Sequence, residues 1–203
     1  MLLYLIRHAK TVMNAAWILN WQIEDHLNET WKEQTTKLGI RFKNTHLDAI
    51  WSSDLQRTKD TAQGIIDQHP SLKANNEDTR LRERSMGELE WMLSEDIRKI
   101  ASEQGMSRWK FSEHDDRIEH GSKVIARFYE WFNEHIKDSW QDAVAVITHG
   151  ASIRLILAHI VGMTPRDYLD THQWIENTWV SIISINDKGR RRVVTINDFS
   201  HLS

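Results

Sequence analysis

The sequence predicts an α/β fold, because short apolar runs that suit buried strands alternate with segments of helical periodicity. Three runs, at residues 2–6, 47–51 and 143–148, are apolar almost throughout, as expected for strands covered on both faces. Each is followed by polar residues and later by a helical pattern, which is typical of a mostly parallel sheet packed between helices. Ligands bind at the carboxyl ends of such strands, so these polar residues are the first candidates for a functional site.

Composition and charge restrict the class of protein. The chain has 203 residues, of which 40% are hydrophobic and 27% charged, so we predict one globular domain over 1–203. The formal charge of −3 gives no reason to expect nucleic acid or an anionic membrane as a partner. Cysteine is absent, which excludes disulfides and thiolate metal sites and suits a reducing compartment. The first apolar run is too short for a signal peptide or a membrane span, so we expect a cytoplasmic location.

The first strand run ends at Arg7 and His8, two polar residues that have no place in a dry core. An arginine binds phosphate through two parallel hydrogen bonds, and a histidine can attack phosphorus as a nucleophile. Taken alone, the pair is equally compatible with a helix cap or a plain surface position. Beyond it, the sequence predicts a loop with a short helical piece over 11–30 and a helix over about 30–43.

The second strand run is followed by a helix that carries Arg57 in its first turn. We expect Ser53 or Asp54 to cap this helix, which should run to about Gln68. The free N–H groups and the dipole at a helix N-terminus favour an anion, so a phosphate bound there would meet a second guanidinium. A capped surface helix with an exposed arginine is the alternative interpretation.

The third strand run ends at His149, which is followed by Gly150 and by an apolar helix over 155–161. His149 would lie at a strand end, beside the backbone N–H groups of the next helix. A structural histidine with satisfied hydrogen bonds is the alternative interpretation of this residue.

The remaining segments complete the alternating pattern. Residues 121–137 have helical period with one apolar face, and two strands over 178–185 and 192–196 are joined by a turn at 186–189. The segment 92–119 mixes helix formers with charged and aromatic residues. We predict that it forms one or two helices.

Taken together, four segments resemble the histidine phosphatase superfamily, which includes phosphoglycerate mutases and many phosphomonoesterases. They occur in order across about residues 4–180, and they are Arg-His-Ala-Lys-Thr at 7–11 with Asn14, Ser-Ser-Asp-Leu-Gln-Arg-Thr at 52–58 with Thr61 and Ala62, Leu-Arg-Glu at 81–83 with Gly87 and Glu90, and His-Gly at 149–150 with Arg154. The resemblance implies a three-layer α/β/α sandwich with a mostly parallel central sheet of the phosphoglycerate mutase type. It also implies a helical cap inserted at about 92–120.

The resemblance further implies a phosphomonoester hydrolase that acts through a phosphohistidine on a small phosphorylated metabolite, without a metal or a cofactor. His8 would attack phosphorus, and Glu83 would protonate the leaving oxygen. Three further residues would take part in catalysis by neutralising or hydrogen-bonding the phosphate, namely Arg7, Arg57 and His149. The same three would bind the substrate together with Asn14 and Gly150.

Glu83 and Glu88 are both candidates for the general acid, with Glu83 preferred because it takes the position of the family's acid. Its neighbours Arg82 and Arg84 would, if close to it, favour the charged carboxylate and oppose this role. Any single glutamate in so charged a stretch is, by itself, more typical of a surface position.

Two of the departures from the family pattern concern positions of glycine. Ala9 and Trp91 stand where the family often has glycine. Alanine is tolerated there only with a negative φ, and Trp91 leaves the local backbone undefined. Ten tryptophans are mostly expected to pack in the core and at its rim, with Trp91 and Trp109 as candidates for the substrate mouth.

Two other functions stay open, a phosphoglycerate mutase and a non-catalytic phosphate-binding protein. Mutases of the family resemble longer chains, with a proline-rich run between the acid and the second histidine. This chain has only Pro70 and Pro165, which favours a phosphatase. The sequence names neither the physiological substrate nor the oligomeric state.

Overall fold

The computed structural model describes residues 1–16, 21–164 and 174–203 and shows a mixed sheet of six strands flanked by helices. The spatial order of the strands is β3-β2-β4-β1-β5-β6. The pairs β3–β2, β2–β4 and β4–β1 are parallel, whereas β5 runs antiparallel to β1, and β6 antiparallel to β5. The bounds are β1 (Leu2–Arg7), β2 (Ala49–Ser52), β3 (Asn76–Glu77), β4 (Ala143–Thr148), β5 (Val180–Ile185) and β6 (Arg191–Asp198).

Seven α-helices lie in the described part of the chain, and none of them is long and apolar enough to cross a membrane. They are α1 (Val12–Ala15), α2 (Trp31–Phe42), α3 (Gln56–Ile66), α4 (Ser94–Glu103), α5 (Arg108–His114), α6 (Gly121–His135) and α7 (Gly150–Val161). Short 3₁₀ turns occur at Thr79–Leu81, Gly87–Leu89 and Ser200–Leu202.

The sheet is the middle layer of three. Successive side chains of a strand point to opposite faces, and in β1 this alternation divides the core. Leu3 and Leu5 pack with side chains of α6 and α7, including the fully buried Trp131. Tyr4 and Ile6 pack on the other face with side chains of α2 and α3. The predicted three-layer α/β/α sandwich is therefore confirmed.

The parallel register aligns the strand ends that matter for the site. Arg7 of β1 is the partner of Thr148 in β4, and Ser52 of β2 is the partner of Ile147. The residues that follow these three strands leave the sheet at the same edge, as expected for the carboxyl ends of parallel strands.

Helices α4 and α5 occupy the segment predicted to contain one or two helices. They share a hydrophobic cluster of their own, which includes Ile97 and Phe111 and extends to Trp21 and to Ala151 in the first turn of α7. Through Trp21 and Ala151 the cluster reaches the edge of the sheet where the strands end. Whether α4 and α5 act as a cap over 92–120 stays a prediction.

The predicted cap of α3 is wrong. Neither Ser53 nor Asp54 caps this helix, because the Ser53 hydroxyl is bound by His149 and the Asp54 carboxylate pairs with Arg82. The residue at the cap position is Leu55, whose side chain makes no capping bond. The carboxylate of Glu24 instead accepts a 3.1 Å hydrogen bond from the N–H of Gln56.

Several element bounds also differ from those predicted. Helix α7 begins at Gly150 rather than at residue 155, and α3 ends at Ile66 rather than near Gln68. The apolar helix was predicted too short because polar residues such as Ser152 and Arg154 interrupt its first turns.

Candidate active site

Three strand ends bring the predicted site residues together. His8 follows β1, Ser53 follows β2 and His149 follows β4, and all three are buried. The ring centroids of His8 and His149 lie 5.1 Å apart. Arg57, fully buried in the first turn of α3, places its Nη2 3.5 Å from His149 Nδ1. The two imidazoles and this guanidinium therefore form one compact group at the carboxyl edge of the sheet.

The tautomer of His8 follows from a single hydrogen bond. His8 Nδ1 lies 2.8 Å from the carbonyl oxygen of Ala9, and because a carbonyl only accepts, Nδ1 must carry the proton. Ala9 itself donates its N–H to Thr61 Oγ1 at 2.9 Å and does not adopt a positive φ, so the alanine fits here without strain. His8 Nε2 is consequently the nitrogen with a lone pair, as a nucleophile requires.

The tautomer of His149 follows in the same way. A guanidinium only donates, so the approach of Arg57 assigns the lone pair of His149 to Nδ1 and the proton to Nε2. His149 Nε2 then donates to Ser53 Oγ at 2.9 Å. The Ser53 hydroxyl donates a hydrogen bond to Thr58 Oγ1 at 2.8 Å, and the Thr58 hydroxyl donates to the Leu55 carbonyl. Ser53 thus orients the second imidazole.

Both predicted arginines are held by backbone carbonyls. Arg57 donates from Nη1 to Ile23 at 2.6 Å and from Nη2 to Trp21 at 2.5 Å, and Arg7 donates from Nη1 to Ile175 at 2.5 Å. The Nε of each arginine is buried and has no hydrogen-bond partner in the described part of the chain. In each guanidinium, the Nε–H group is therefore a buried donor that the anchoring carbonyls do not use.

Gly150, the first residue of α7, lies beside the Arg7 guanidinium. A Cβ at this position would lie 3.4 Å from Arg7 Nε and 3.6 Å from its Cζ. These are ordinary van der Waals distances, so the guanidinium lies close to the backbone at the N-terminus of α7. The positive end of this helix dipole adds to the two arginine charges.

Burial and positive charge keep both histidines neutral. Burial lowers the pKa of His8 well below its usual 6.5, and the cations of Arg57 and Arg7 lower it further. The pKa of His149 is lowered well below 6.5 by burial first and then by Arg57 and His8. Burial lowers the pKa of Arg57 to about 10, which still leaves this group positively charged at neutral pH. The site is therefore cationic through its arginines, while both imidazoles are uncharged.

We therefore expect His8 to remain neutral as the pH falls through 6.5 and to gain a proton only at lower pH. Removal of one cation by Arg57→Gln should move the pKa of His8 upward, but it should stay below 6.5 because burial is the larger cause. The pKa of His8 in the wild type and in Arg57→Gln would be measured from histidine ¹⁵N resonances followed by NMR across a pH series. The resonance that disappears in His8→Gln identifies the His8 signal. A His8 signal that titrates at or above 6.5 in the wild-type protein would contradict this electrostatic account.

The carboxylate of Glu83 lies at the N-terminus of α7, the helix that begins directly after His149. Its Oε1 accepts hydrogen bonds from the N–H of Arg84 at 2.9 Å, the N–H of Ser152 at 2.9 Å and the Ser152 hydroxyl at 3.0 Å. Within the described part of the chain, its Oε2 accepts one hydrogen bond, from the N–H of Ala151 at 3.0 Å. Oε2 is therefore the oxygen with a lone pair left for a proton. Glu88, by contrast, is exposed in the turn Gly87–Leu89.

The two arginines that flank Glu83 in sequence are paired with other carboxylates. Arg82 binds Asp54 through hydrogen bonds of 2.5 and 2.7 Å. The buried Arg84 lies 2.8 Å from Glu113 Oε1 in α5 and also donates to the carbonyl of Ser112. Both guanidinium groups thus have other carboxylates as their ion-pair partners, Asp54 for Arg82 and Glu113 for Arg84.

Asn14 is linked to the site by a residue that carried no functional assignment in the sequence. Asn177 Nδ2 donates to the carbonyl of His8 at 2.8 Å and lies 3.3 Å from Asn14 Oδ1. Asn177 precedes β5. In the sequence it lies in the stretch 175–178, which resembles a pre-strand segment common in the family but carried no assigned role. Ser53 had a clearer signal, since it directly follows a buried strand run.

Trp91 adopts a φ of 76°, in the left-handed region that glycine enters without strain, and its side chain is 66% exposed. The expectation that the tryptophan stands at a position suited to glycine thus agrees with the backbone. The side chain of Trp109 lies outside the described part of the structure. Within that part, no group of three or more histidine, aspartate or glutamate residues is arranged to hold a metal ion.

Comparison with known proteins identifies the family. The family model described as histidine phosphatase superfamily (branch 1) matches residues 3–198. A broad-specificity phosphatase of Saccharomyces cerevisiae is 32% identical over an alignment that covers 76% of this chain and 68% of the yeast protein. Phosphoserine phosphatase 1 of Hydrogenobacter thermophilus is 27% identical over 98% of this chain and 93% of that protein. A 2,3-bisphosphoglycerate-dependent phosphoglycerate mutase of Cytophaga hutchinsonii is 22% identical over 82% and 80%. The solved structure of YhfR from Bacillus stearothermophilus superposes with a TM-score of 0.87 at 26% identity, covering 100% of this chain and 99% of that one. The chain therefore belongs to the histidine phosphatase superfamily, branch 1.

Proposed function

We propose that the protein is a phosphomonoester hydrolase that transfers a phosphoryl group first to His8 and then to water. The observation that carries the proposal is the hydrogen bond from His8 Nδ1 to the Ala9 carbonyl, which leaves the lone pair on Nε2 of a neutral imidazole that is under the electrostatic influence of Arg57 and Arg7. Family relatives that are named phosphatases support the same activity.

In the first step, His8 Nε2 attacks phosphorus and the bond from phosphorus to the ester oxygen breaks. Glu83 gives the proton on Oε2 to the departing oxygen, which leaves as an alcohol. In the second step, Glu83 takes a proton from water, the resulting hydroxide attacks phosphorus, and the P–N bond breaks. Inorganic phosphate leaves, and the lone pair on Nε2 and the proton on Glu83 are restored.

The phosphate oxygens would be bound by Arg7, Asn14, Arg57 and His149, with Gly150 giving the anion access to the N-terminus of α7. The unpartnered Nε–H groups of the two arginines are donors that such an oxyanion can engage. Because the transition state spreads negative charge over the phosphoryl oxygens, fixed guanidinium groups supply the stabilisation that a metal ion provides in other phosphatases. The substrate class is a small phosphorylated metabolite.

The deciding experiment is phosphate release from a panel of phosphomonoesters, including phosphoserine, sugar phosphates and both phosphoglycerates, without a bisphosphate primer. We expect release of inorganic phosphate and negligible interconversion of 2- and 3-phosphoglycerate, because a mutase must keep water away from its phosphohistidine. Primer-dependent isomerisation faster than phosphate release would assign the chain to the mutases instead.

Two further arms complete this experiment. Activity should survive a chelator, since arginines carry the charge, and orthovanadate should inhibit. Binding of vanadate without any turnover across the panel would favour the non-catalytic phosphate-binding protein. A cytoplasmic location and a cap formed by α4 and α5 stay predictions.

A further inference from the structure

Asn177 joins the nucleophile to a phosphate-binding residue. Its side chain is 6% exposed, and its Nδ2 donates to the carbonyl oxygen of His8 at 2.8 Å and lies 3.3 Å from Asn14 Oδ1. This buried amide has no role in the proposed mechanism, yet it contacts two site residues. Its function should therefore lie in its effect on His8 or Asn14.

The donor pattern determines the orientation of both amides. The His8 carbonyl only accepts, so Asn177 must present its nitrogen there and not its oxygen. The second hydrogen on the same nitrogen faces Asn14, which must therefore present Oδ1 to accept it. The Asn14 nitrogen, with its two hydrogens, then lies on the side of the carboxamide that faces away from Asn177. The backbone carbonyl of the nucleophile thus determines, through Asn177, which end of the Asn14 carboxamide faces Asn177 and which end faces away from it.

The backbone around Asn177 is clamped to β1. Thr178 adopts a φ of 61°, a strained left-handed conformation for a β-branched residue, and it is fully buried. Its N–H donates to the carbonyl of Arg7 at 3.0 Å, and its hydroxyl donates to the carbonyl of Asn177 at 2.7 Å. Strain of this kind persists only where neighbouring bonds enforce it, so the position of Asn177 relative to Arg7 and His8 is strongly determined.

We propose that Asn177 is a positioning residue that acts through Asn14, holding its carboxamide with the nitrogen directed to the phosphate. The proposal rests on the proposed function, because Asn14 is assigned to the phosphate there. Asn177 itself does not touch the reacting atoms. Its loss lets the Asn14 amide rotate, which weakens binding of the phosphoryl group without removing the nucleophile.

A double-mutant cycle tests this coupling with Asn14→Ala, Asn177→Ala and the double variant. The measurements are the affinity for orthovanadate by calorimetry, and kcat and KM for p-nitrophenyl phosphate. We expect each single variant to weaken vanadate binding by about 10-fold, the effect of one hydrogen bond to an anion. The double variant should match Asn14→Ala within about twofold, because Asn177 has nothing left to position. Losses that multiply in the double variant, or unchanged vanadate affinity in Asn177→Ala, would overturn the proposal.

The matched control is Asn76→Ala in β3, which also removes an asparagine that donates to a backbone carbonyl, that of Ile50 at 3.0 Å. It should bind vanadate as the wild type does. Should Asn177→Ala fail to fold, Asn177→Asp replaces it in the cycle. Its carboxylate accepts a hydrogen bond where the amide donates one, so the Asn14 carboxamide should rotate by about half a turn. The double variant should then again bind vanadate as Asn14→Ala does.

The wild-type protein separates this proposal from the proposed function. Vanadate binding with full coupling but without turnover would overturn the hydrolase and leave the role of Asn177 intact. Turnover with no coupling would do the reverse. A wild-type protein that does not bind vanadate would overturn both.

Discussion

His8→Ala should lower turnover of any accepted phosphomonoester by several orders of magnitude, on the order of 10⁴-fold or more. The reason is that the two-step route needs a nitrogen lone pair in line with phosphorus, and neither His149 nor water can take its place. His149 Nδ1 faces Arg57, and its Nε2 carries a proton that is bound to Ser53. Rapid quench of the wild-type enzyme should trap an acid-labile, base-stable phosphoramidate on the peptide that contains His8. The variant should form none.

A second buried histidine provides the matched control. His69 is buried and bonds the carbonyl of Thr45 at 2.9 Å, much as His8 bonds that of Ala9, but it lies away from the strand ends. His69→Ala should lose stability and keep its turnover and its phosphoramidate. If His8→Ala retained substantial activity, the nucleophile would have to be another group, and the role proposed for Glu83 would have to be reconsidered with it.

The parallel core of the fold was predictable because its signals are local. An apolar run such as residues 2–6 identifies a strand buried on both faces, and its polar end marks the edge where a site forms. In the same way, His149 was recognised as a polar residue at the end of a buried strand run, and so were the residues that lead into α3. The motif resemblance then supplied the three-layer arrangement, which the two hydrophobic clusters on opposite faces of β1 confirm.

The errors and omissions share a physical cause, namely partners that are distant in sequence. Ser53 has the ideal chemistry for a helix cap, but its hydroxyl is taken by His149, which lies 96 residues away. The actual cap of α3 is supplied by Glu24, and the N–H groups at the start of α7 are satisfied by Glu83. Asn177 was overlooked for the same reason, since its partners are 163 and 169 residues away. No local pattern reveals such pairings.

The importance of Glu83 should depend on the leaving group, if this residue is the general acid. An alkyl phosphate expels a poor alkoxide that needs a proton, whereas a nitrophenyl phosphate expels a stable phenolate that needs it much less. General acid catalysis contributes roughly 10²–10⁴-fold, so Glu83→Gln should lose about that much on the alkyl ester. On the nitrophenyl ester, the pre-steady-state burst, which reports the phosphorylation step alone, should slow much less.

The comparison of two esters is needed because Glu83 also has a structural role. Glutamine can keep the acceptor that faces Arg84 and Ser152, but its NH₂ group would then face the N–H of Ala151, where Oε2 now accepts. This donor–donor conflict disturbs the start of α7 equally for every substrate. It lowers both rates by the same factor and cancels in their ratio, so the ratio isolates the proton transfer.

Glu88→Gln is the control, because Glu88 belongs to the same segment but is exposed. It should behave nearly as the wild type on both esters. Equal losses on both esters for Glu83→Gln would mean that Glu83 acts only as the anchor of α7 and that the proton comes from elsewhere. A leaving-group-dependent loss in Glu88→Gln would require the turn Gly87–Leu89 to fold inward over the bound substrate, because Glu88 would then be the residue that delivers the proton to the departing oxygen.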